Sequence, residues 1–244
     1  MERSAKIDAR YGIRLEVAGP LAMFARPDTG GTPTSYPLPT WSAAKGLFES
    51  IAFLVDGSAW ICPTKVEICR RLGEPGGQIR FQRYTTNYGG PLRKADLFRK
   101  GTAAGGSSMQ FFATVLNDVC YRLHGIVLAQ GRRDGSNARH HLQDLFNRRL
   151  RQGRCFRTPC LGWSEFTCSY WGPFREGVTE VDPAISLVIP SMLVCVWDRP
   201  TRGRYSPRFD QDVVVGRVSA GVMEYKLPIN SLSRLNREGD ADAQ

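Results

Sequence analysis

Apolar and polar residues alternate from Ile13 through Arg14, Leu15 and Glu16 to Val17, the period of a half-buried strand, and a turn is expected at Gly19-Pro20. Leu21 to Phe24 carry the chain toward the segment 26–33, RPDTGGTP, whose prolines and paired glycines demand an exposed loop. The period then changes. Ala44, Leu47, Phe48 and Ile51 recur at helical spacing, Lys45, Glu49 and Ser50 lie off that face, and Thr40 stands where an N-cap hydroxyl accepts from the first free amides. A strand followed by such a helix opens a ferredoxin-like βαββαβ unit, so the pattern predicts an α+β fold with helices on a sheet.

Strand-like alternation returns at Trp60 to Ile68 and Ile79 to Tyr84, with a turn between them at Gly73 to Gly77. Val119 to Leu128 reads as a central strand within an apolar stretch. Leu142, Leu145, Phe146 and Leu150 then fall on one side of a helix over His140 to Gln152, which Gly153 ends as a C′ glycine. Further strands are expected at Phe166 to Tyr170 and at Leu187 to Trp197, the latter valine-rich enough to be buried on both faces. Val213 to Val218 and Val222 to Lys226 read as a pair joined across Ser219-Ala220-Gly221. The simplest organisation is a polar leader (1–11), one domain (12–228) with an inserted basic loop or hairpin (85–110) and a β-rich C-terminal part (160–228), and a polar tail (229–244).

Composition sharpens this in one direction. The 244 residues are 42% hydrophobic and 23% charged, an ordinary globular balance, but the formal charge is +10 and arginine carries most of it. Arginine's planar fork suits phosphate and stacks on bases, so a polyanionic partner is indicated. No signal-peptide pattern opens the sequence and no apolar run would span a bilayer, so a cytoplasmic protein without a membrane partner is expected. The seven cysteines show no C-x-x-C pair and no matching histidine spacing, which makes them free thiols rather than metal ligands.

The charge is not evenly spread. Arg139, Arg148, Arg149, Arg151, Arg154 and Arg157 face one acid, Asp144, across the second helix and its exit. Such one-signed density points to phosphate contacts. Arg93 and Lys94 lie in the glycine-rich loop 85–110, beside Tyr84 and Tyr88, which is either a finger for a phosphate backbone or a solvated loop. His140 and His141 open the arginine-rich helix, where they are plain helix-start residues, RNA contacts, or a general acid and base for cleavage by a neighbouring 2′-hydroxyl. That chemistry needs no metal or cofactor, and the chain shows no P-loop, dinucleotide fingerprint, nucleophile elbow or two-metal carboxylate cluster.

Exact wording adds a family. Ser35 to Ile51 reads SY-x-x-PT-x-x-A-x-KG-x-x-ESI, and His141 to Phe166 reads H-x-x-x-L-F-N-RR-x-x-x-G-x-C-F-x-x-P-x-LG-x-x-EF. With Val115 to Leu123, VLNDVCYRL, and the opening Tyr11 to Pro27, these blocks resemble, in collinear order, the Cas-five family of CRISPR-associated RAMP proteins, above all its type I-C branch. The resemblance implies a RAMP fold. It also implies a Cascade subunit that holds the 5′ handle of the guide RNA (crRNA), beside the large and backbone subunits and the target DNA near its PAM, with Tyr36 and Lys45 close to the handle. Subunits of this branch often cut precursor RNA as well. Their processing enzymes are expected to carry Tyr or His directly after E-S-I, where this chain has Ala52, and a Lys-His dyad that falls at His141-Leu142, or at His140-His141 with one residue inserted. A handle-binding subunit is therefore the expected function, with a metal-independent endoribonuclease as the alternative and a stand-alone RNA- or DNA-binding module as a second.

Overall fold

The computed structural model describes residues 9–88, 109–129, 137–194 and 213–226. In chain order the elements are β1 (Gly12–Ala22), α1 (Trp41–Ile51), β2 (Ala59–Arg71), β3 (Phe81–Tyr88), β4 (Met109–Ala129), α2 (Ala138–Gln152), β5 (Tyr170–Gly172), β6 (Thr179–Val181), β7 (Leu187–Leu193), β8 (Val213–Val218) and β9 (Val222–Glu224). A seven-stranded sheet runs β5-β1-β4-β2-β6, with β3 also on β4 and β9 also on β2, and β7 and β8 form a second sheet. The expected mixture of helix and sheet is present, and every strand pairing is antiparallel.

The sheet is organised by β4, 21 residues long. One edge pairs with β1 from Leu116 to Ile126; the other pairs first with β3 up to Leu116 and then with β2 from Tyr121 onward. Between those partners Asp118 takes a left-handed φ of 51°, a conformation Asp tolerates better than most residues. Pro20, which has no amide to donate, falls opposite it, and the β1 register steps from Gly19↔Val119 to Leu21↔Asn117. The turn expected at Gly19-Pro20 is therefore absent. The strand absorbs the proline as one unpaired position and continues to Ala22.

Both helices lie on the face that carries Ile13, Leu15 and Val17. Thr40 caps α1, its side-chain oxygen accepting from the Ala43 amide, and Trp41, Ala44, Leu47, Phe48 and Ile51 are buried against the sheet as their spacing requires. Phe48 meets Phe146 of α2 with ring centroids 5.8 Å apart, and both are fully buried, each removing about 1.5–3 kcal/mol of apolar surface from water. Gly125 makes room for this, since a Cβ there would stand 3.1 Å from both the Phe48 ring and the Cys62 carbonyl. Asn137 caps α2, and Gly153, at φ 64°, closes it in the left-handed conformation expected of a C′ glycine.

Several further expectations change. Ala9–Tyr11 form a short 3-10 turn and Tyr11 is buried, so ordered structure begins within the expected leader. Of the two forms expected for 85–110, the described ends take the hairpin, Thr85 to Tyr88 continuing β3 and pairing with Phe112 to Met109; Arg93 and Lys94 lie outside the described residues. β7 is not buried on both faces: among the described residues it pairs only with β8, and Val188 stays 54% exposed. β8 and β9 turn at Ser219-Ala220-Gly221 but then part, β8 to β7 and β9 to β2, leaving a single bridge at Ser219↔Val222. Near residue 170 the strand is Tyr170–Gly172 rather than Phe166 to Tyr170, because the Phe166 side chain is buried beside Trp163 and Tyr84 in a turn.

Candidate nucleic-acid interface

The C-terminal end of α1 leaves carbonyls without intrahelical partners. In this chain the exit of α2 supplies the donors. Arg149 Nη1 donates to the Ile51 carbonyl at 2.8 Å, and the amides of Phe156 and Arg157 both donate to the Ser50 carbonyl, at 2.9 and 2.8 Å. The segment after Gly153 is thereby folded back over α1, and it carries arginines with it. Both helices direct the negative ends of their dipoles toward this corner, about half a charge each, which offsets only a small part of the charge the arginines bring.

Among the expected phosphate-binding residues, Arg148, Arg151, Arg154 and Arg157 are exposed and make no side-chain hydrogen bond or ion pair among the described residues. They follow one another along the last turns and exit of α2, a stretch termed the basic ridge. Beside it a cleft of about 1340 Å³ follows α1, lined by Lys45, Glu49, Phe53 and Arg157 and reaching Trp163. Lys45 lies in that cleft but is held by an ion pair with Glu49 and stands 5.8 Å from the Trp60 ring.

Other expected site residues are structural. Tyr36 is wholly buried: its hydroxyl donates to the Ser191 carbonyl at 2.8 Å and accepts from the Leu193 amide at 3.1 Å, fastening β7 to the entry of α1. Burial comes first among the causes that raise its phenol above the ordinary tyrosine value. An RNA cannot reach that ring, so the handle contact implied for Tyr36 is replaced by a core role. Arg149 is the helix clasp described above. Arg139 lies 4.7 Å over the ring of Tyr11, which Asn137 also holds through a 2.7 Å hydrogen bond to the phenol oxygen.

The histidines and the ridge are at opposite ends of α2. His140 and His141 are exposed in the first turn, His140 Nε2 lying 3.4 Å from Asp144, while Arg148 to Arg154 occupy the last turns and the exit. At about 1.5 Å of rise per residue, some 10–15 Å of helix separates them. A group stabilising charge on a reacting phosphate must lie within hydrogen-bond reach of it, a condition the separation makes harder to meet for Arg151 and Arg154 than for Arg148, which shares the His141 side of the helix at i+7. Ala52 is at the ridge end, buried, next to the carbonyl that Arg149 clasps.

Sequence reasoning overlooked an aromatic pair at the ridge. Phe156, 55% exposed, meets Phe53 with ring centroids 4.7 Å apart at 85°. The available signal was position, since Phe156 stands between Arg154 and Arg157.

Comparison with known proteins gives the class to which this architecture belongs. The family model described as CRISPR-associated protein (Cas_Cas5), in its Cas5d form, matches residues 12–234. The chain belongs to this CRISPR-associated Cas5d family. It is 32% identical over 168 residues to a CRISPR pre-crRNA endoribonuclease Cas5d of Mannheimia succiniciproducens, covering 65% of this chain and 71% of that protein. It is also 29% identical over 168 residues to a protein of the same name from Thermus thermophilus, covering 67% of this chain and 65% of that one. In fold it is similar to a solved CRISPR-associated protein, with a TM-score of 0.59 at 17% identity over 89% of this chain and 92% of that one. The functionally uncharacterized protein SMU1763c of Streptococcus mutans gives 0.59 at 15% identity, over 89% and 93%. Among the described residues no helix is long and apolar enough to cross a membrane.

Proposed function

We propose that this chain is the subunit of a type I-C Cascade-like effector that binds the 5′ handle of the guide RNA. The observation that carries the reading is the ridge of Arg148, Arg151, Arg154 and Arg157, exposed and unpaired beside the α1 cleft. One-signed guanidinium density is unfavourable unless an anion neutralises it, and an RNA backbone supplies phosphates at the needed spacing. The core order β5-β1-β4-β2, with helices after β1 and β4, supports a ferredoxin-like RAMP core in residues 12–228, carrying the β3–β4 hairpin as an insertion. In that setting the large and backbone subunits and the target DNA near its PAM are the remaining partners, in the cytoplasm.

A second reading, metal-independent cleavage of precursor crRNA, is favoured by the names of the two relatives. His140, which has Asp144 3.4 Å from its Nε2, or His141 would be its general base or acid. The separation of His140-His141 from Ala52 and from the ridge argues for binding over cleavage.

The test is binding of end-labelled repeat RNA to the full chain in EDTA, with product analysis. Alanine at Arg148, Arg151 and Arg154 should weaken binding and reduce the slope of log affinity against log salt by about one for each phosphate no longer neutralised. Unchanged affinity and slope would overturn the ridge. Discrete products ending in a 2′,3′-cyclic phosphate, absent with the His140→Ala, His141→Ala double variant, would establish the second reading.

A further inference from the structure

We propose that Phe156 is a stacking platform for one unpaired nucleobase of the RNA, set between the ridge arginines that hold its flanking phosphates. The inference rests on the reading of the ridge as an RNA surface and adds to it a base contact. The ring is 55% exposed; Phe112 on β4 and Phe81 on β3 are exposed too, whereas Phe48, Phe146 and Phe24 are buried, and of the three exposed rings Phe156 is the one among the ridge arginines. Its backbone is fixed rather than loose, because its own amide and that of Arg157 both close on the Ser50 carbonyl. The perpendicular contact with Phe53 at 4.7 Å covers at most one face of either ring, so Phe156 keeps a flat apolar face for a partner.

The chemistry around it selects the partner. Arg157 follows directly in the chain, Arg154 precedes by two positions, and both are exposed. Phe53, which meets Phe156 edge to face, lines the α1 cleft together with Arg157. An aromatic face on rigid backbone with cations on both sides matches the way single-stranded nucleic acids are bound, phosphates on guanidiniums and bases on π-faces. A protein partner would more naturally be met by an apolar patch with a mixed-charge rim. Stacking needs no base-edge hydrogen bond, so the contact requires an unpaired base and tolerates any of the four.

The experiment measures affinity for repeat RNA by anisotropy with the full chain, comparing Phe156→Ala and Phe156→Trp with the Arg148, Arg151 and Arg154 triple alanine variant. Phe156→Ala should bind on the order of tenfold more weakly with an unchanged salt slope, while Phe156→Trp should bind as the original does. Scanning an abasic ribose along the RNA should find one position that reproduces the weakening and at which Phe156→Ala has no further effect. If the arginine variant binds more weakly but Phe156→Ala does not, the stacking proposal is overturned while the ridge stands. If neither variant changes affinity, both fall. Unaltered thermal melting of Phe156→Ala would attribute its weaker binding to the missing ring and not to the fold.

Discussion

Leu15 and Glu16 are neighbours in β1, both wholly buried, and they face opposite sides of the large sheet. Leu15 belongs to the apolar core under the helices, together with Phe48, Phe146 and Leu142. Glu16 lies on the other side in a polar lattice. It accepts from Arg175 Nε at 2.6 Å, the Arg175 amide at 3.0 Å, Arg122 Nε at 3.2 Å and the Thr179 hydroxyl at 3.0 Å. Burial raises its carboxyl, but the bonds from Arg175 and Thr179 outweigh it and hold the group below the ordinary glutamate value. Next to it Phe174 stands under Arg122 at 4.9 Å, Arg14 at 5.9 Å and His124 at 5.3 Å. One face of the sheet is thus held by area and the other by directed bonds, through which the segment 174–179 is fastened down.

The largest expected effect comes from cutting the directed bonds at their centre. Glu16→Ala leaves two guanidiniums facing each other without a carboxylate, and should cost roughly 3–5 kcal/mol in denaturant unfolding. Leu15→Ala, one residue away, should cost about 3 kcal/mol through reduced burial and a cavity. The two are told apart by acid. The Leu15→Ala deficit persists at low pH, whereas the Glu16→Ala deficit shrinks as the pH falls through the depressed carboxyl pKa, because the original protein gives up the same charge there.

Glu67 sharpens the contrast. Its carboxyl lies 3.0 Å from His124 Nε2 and 2.7 Å from Lys65 Nζ on the same polar face. Burial raises its pKa, yet the proximity of His124 and Lys65 prevails and brings it from 4.5 to about 2. A depressed carboxylate pKa contributes stability that is full above the unfolded value and disappears as pH falls through the folded one. The original protein should therefore weaken between about pH 4.5 and about 2, and Glu67→Gln should show a shallower decline over that window. An equally steep decline in the variant would remove Glu67 from the lattice's acid response.

These two faces were not equally legible. The alternation of Ile13, Leu15 and Val17 with Arg14 and Glu16 identified which residues meet the helices, and helical spacing identified Ala44, Leu47, Phe48 and Ile51, because those periods follow directly from backbone geometry. The same alternation marked Glu16 as merely the off-core side. That Arg175, far along the chain, would cover it depends on a long-range contact no local period encodes. The second sheet was hidden for a related reason: β8 and β9 are separated by a tight turn that suits a hairpin, and only tertiary pairing with β7 and β2 sends them apart. For the candidate site, charge density located the ridge, while the roles of Tyr36 and Arg149 needed the partners Ser191 and Ile51, distant in sequence.

On the helix side one directed bond does intrude, and it divides the arginines. Arg149 clasps the Ile51 carbonyl at 2.8 Å, so Arg149→Met should cost about 1.5 kcal/mol as a charge-assisted hydrogen bond is removed. Arg148, Arg151 and Arg154 hold nothing among the described residues, and alanine at each should change stability by no more than about 0.5 kcal/mol. This is the smallest effect on folding and the most informative about use, since exposed cations that the fold does not need are free to serve a ligand. Chemical denaturation of the four single variants makes the separation. Destabilisation at Arg151 or Arg154 as large as that at Arg149 would make the ridge part of the scaffold, and its unpaired charge would then no longer support an RNA surface there.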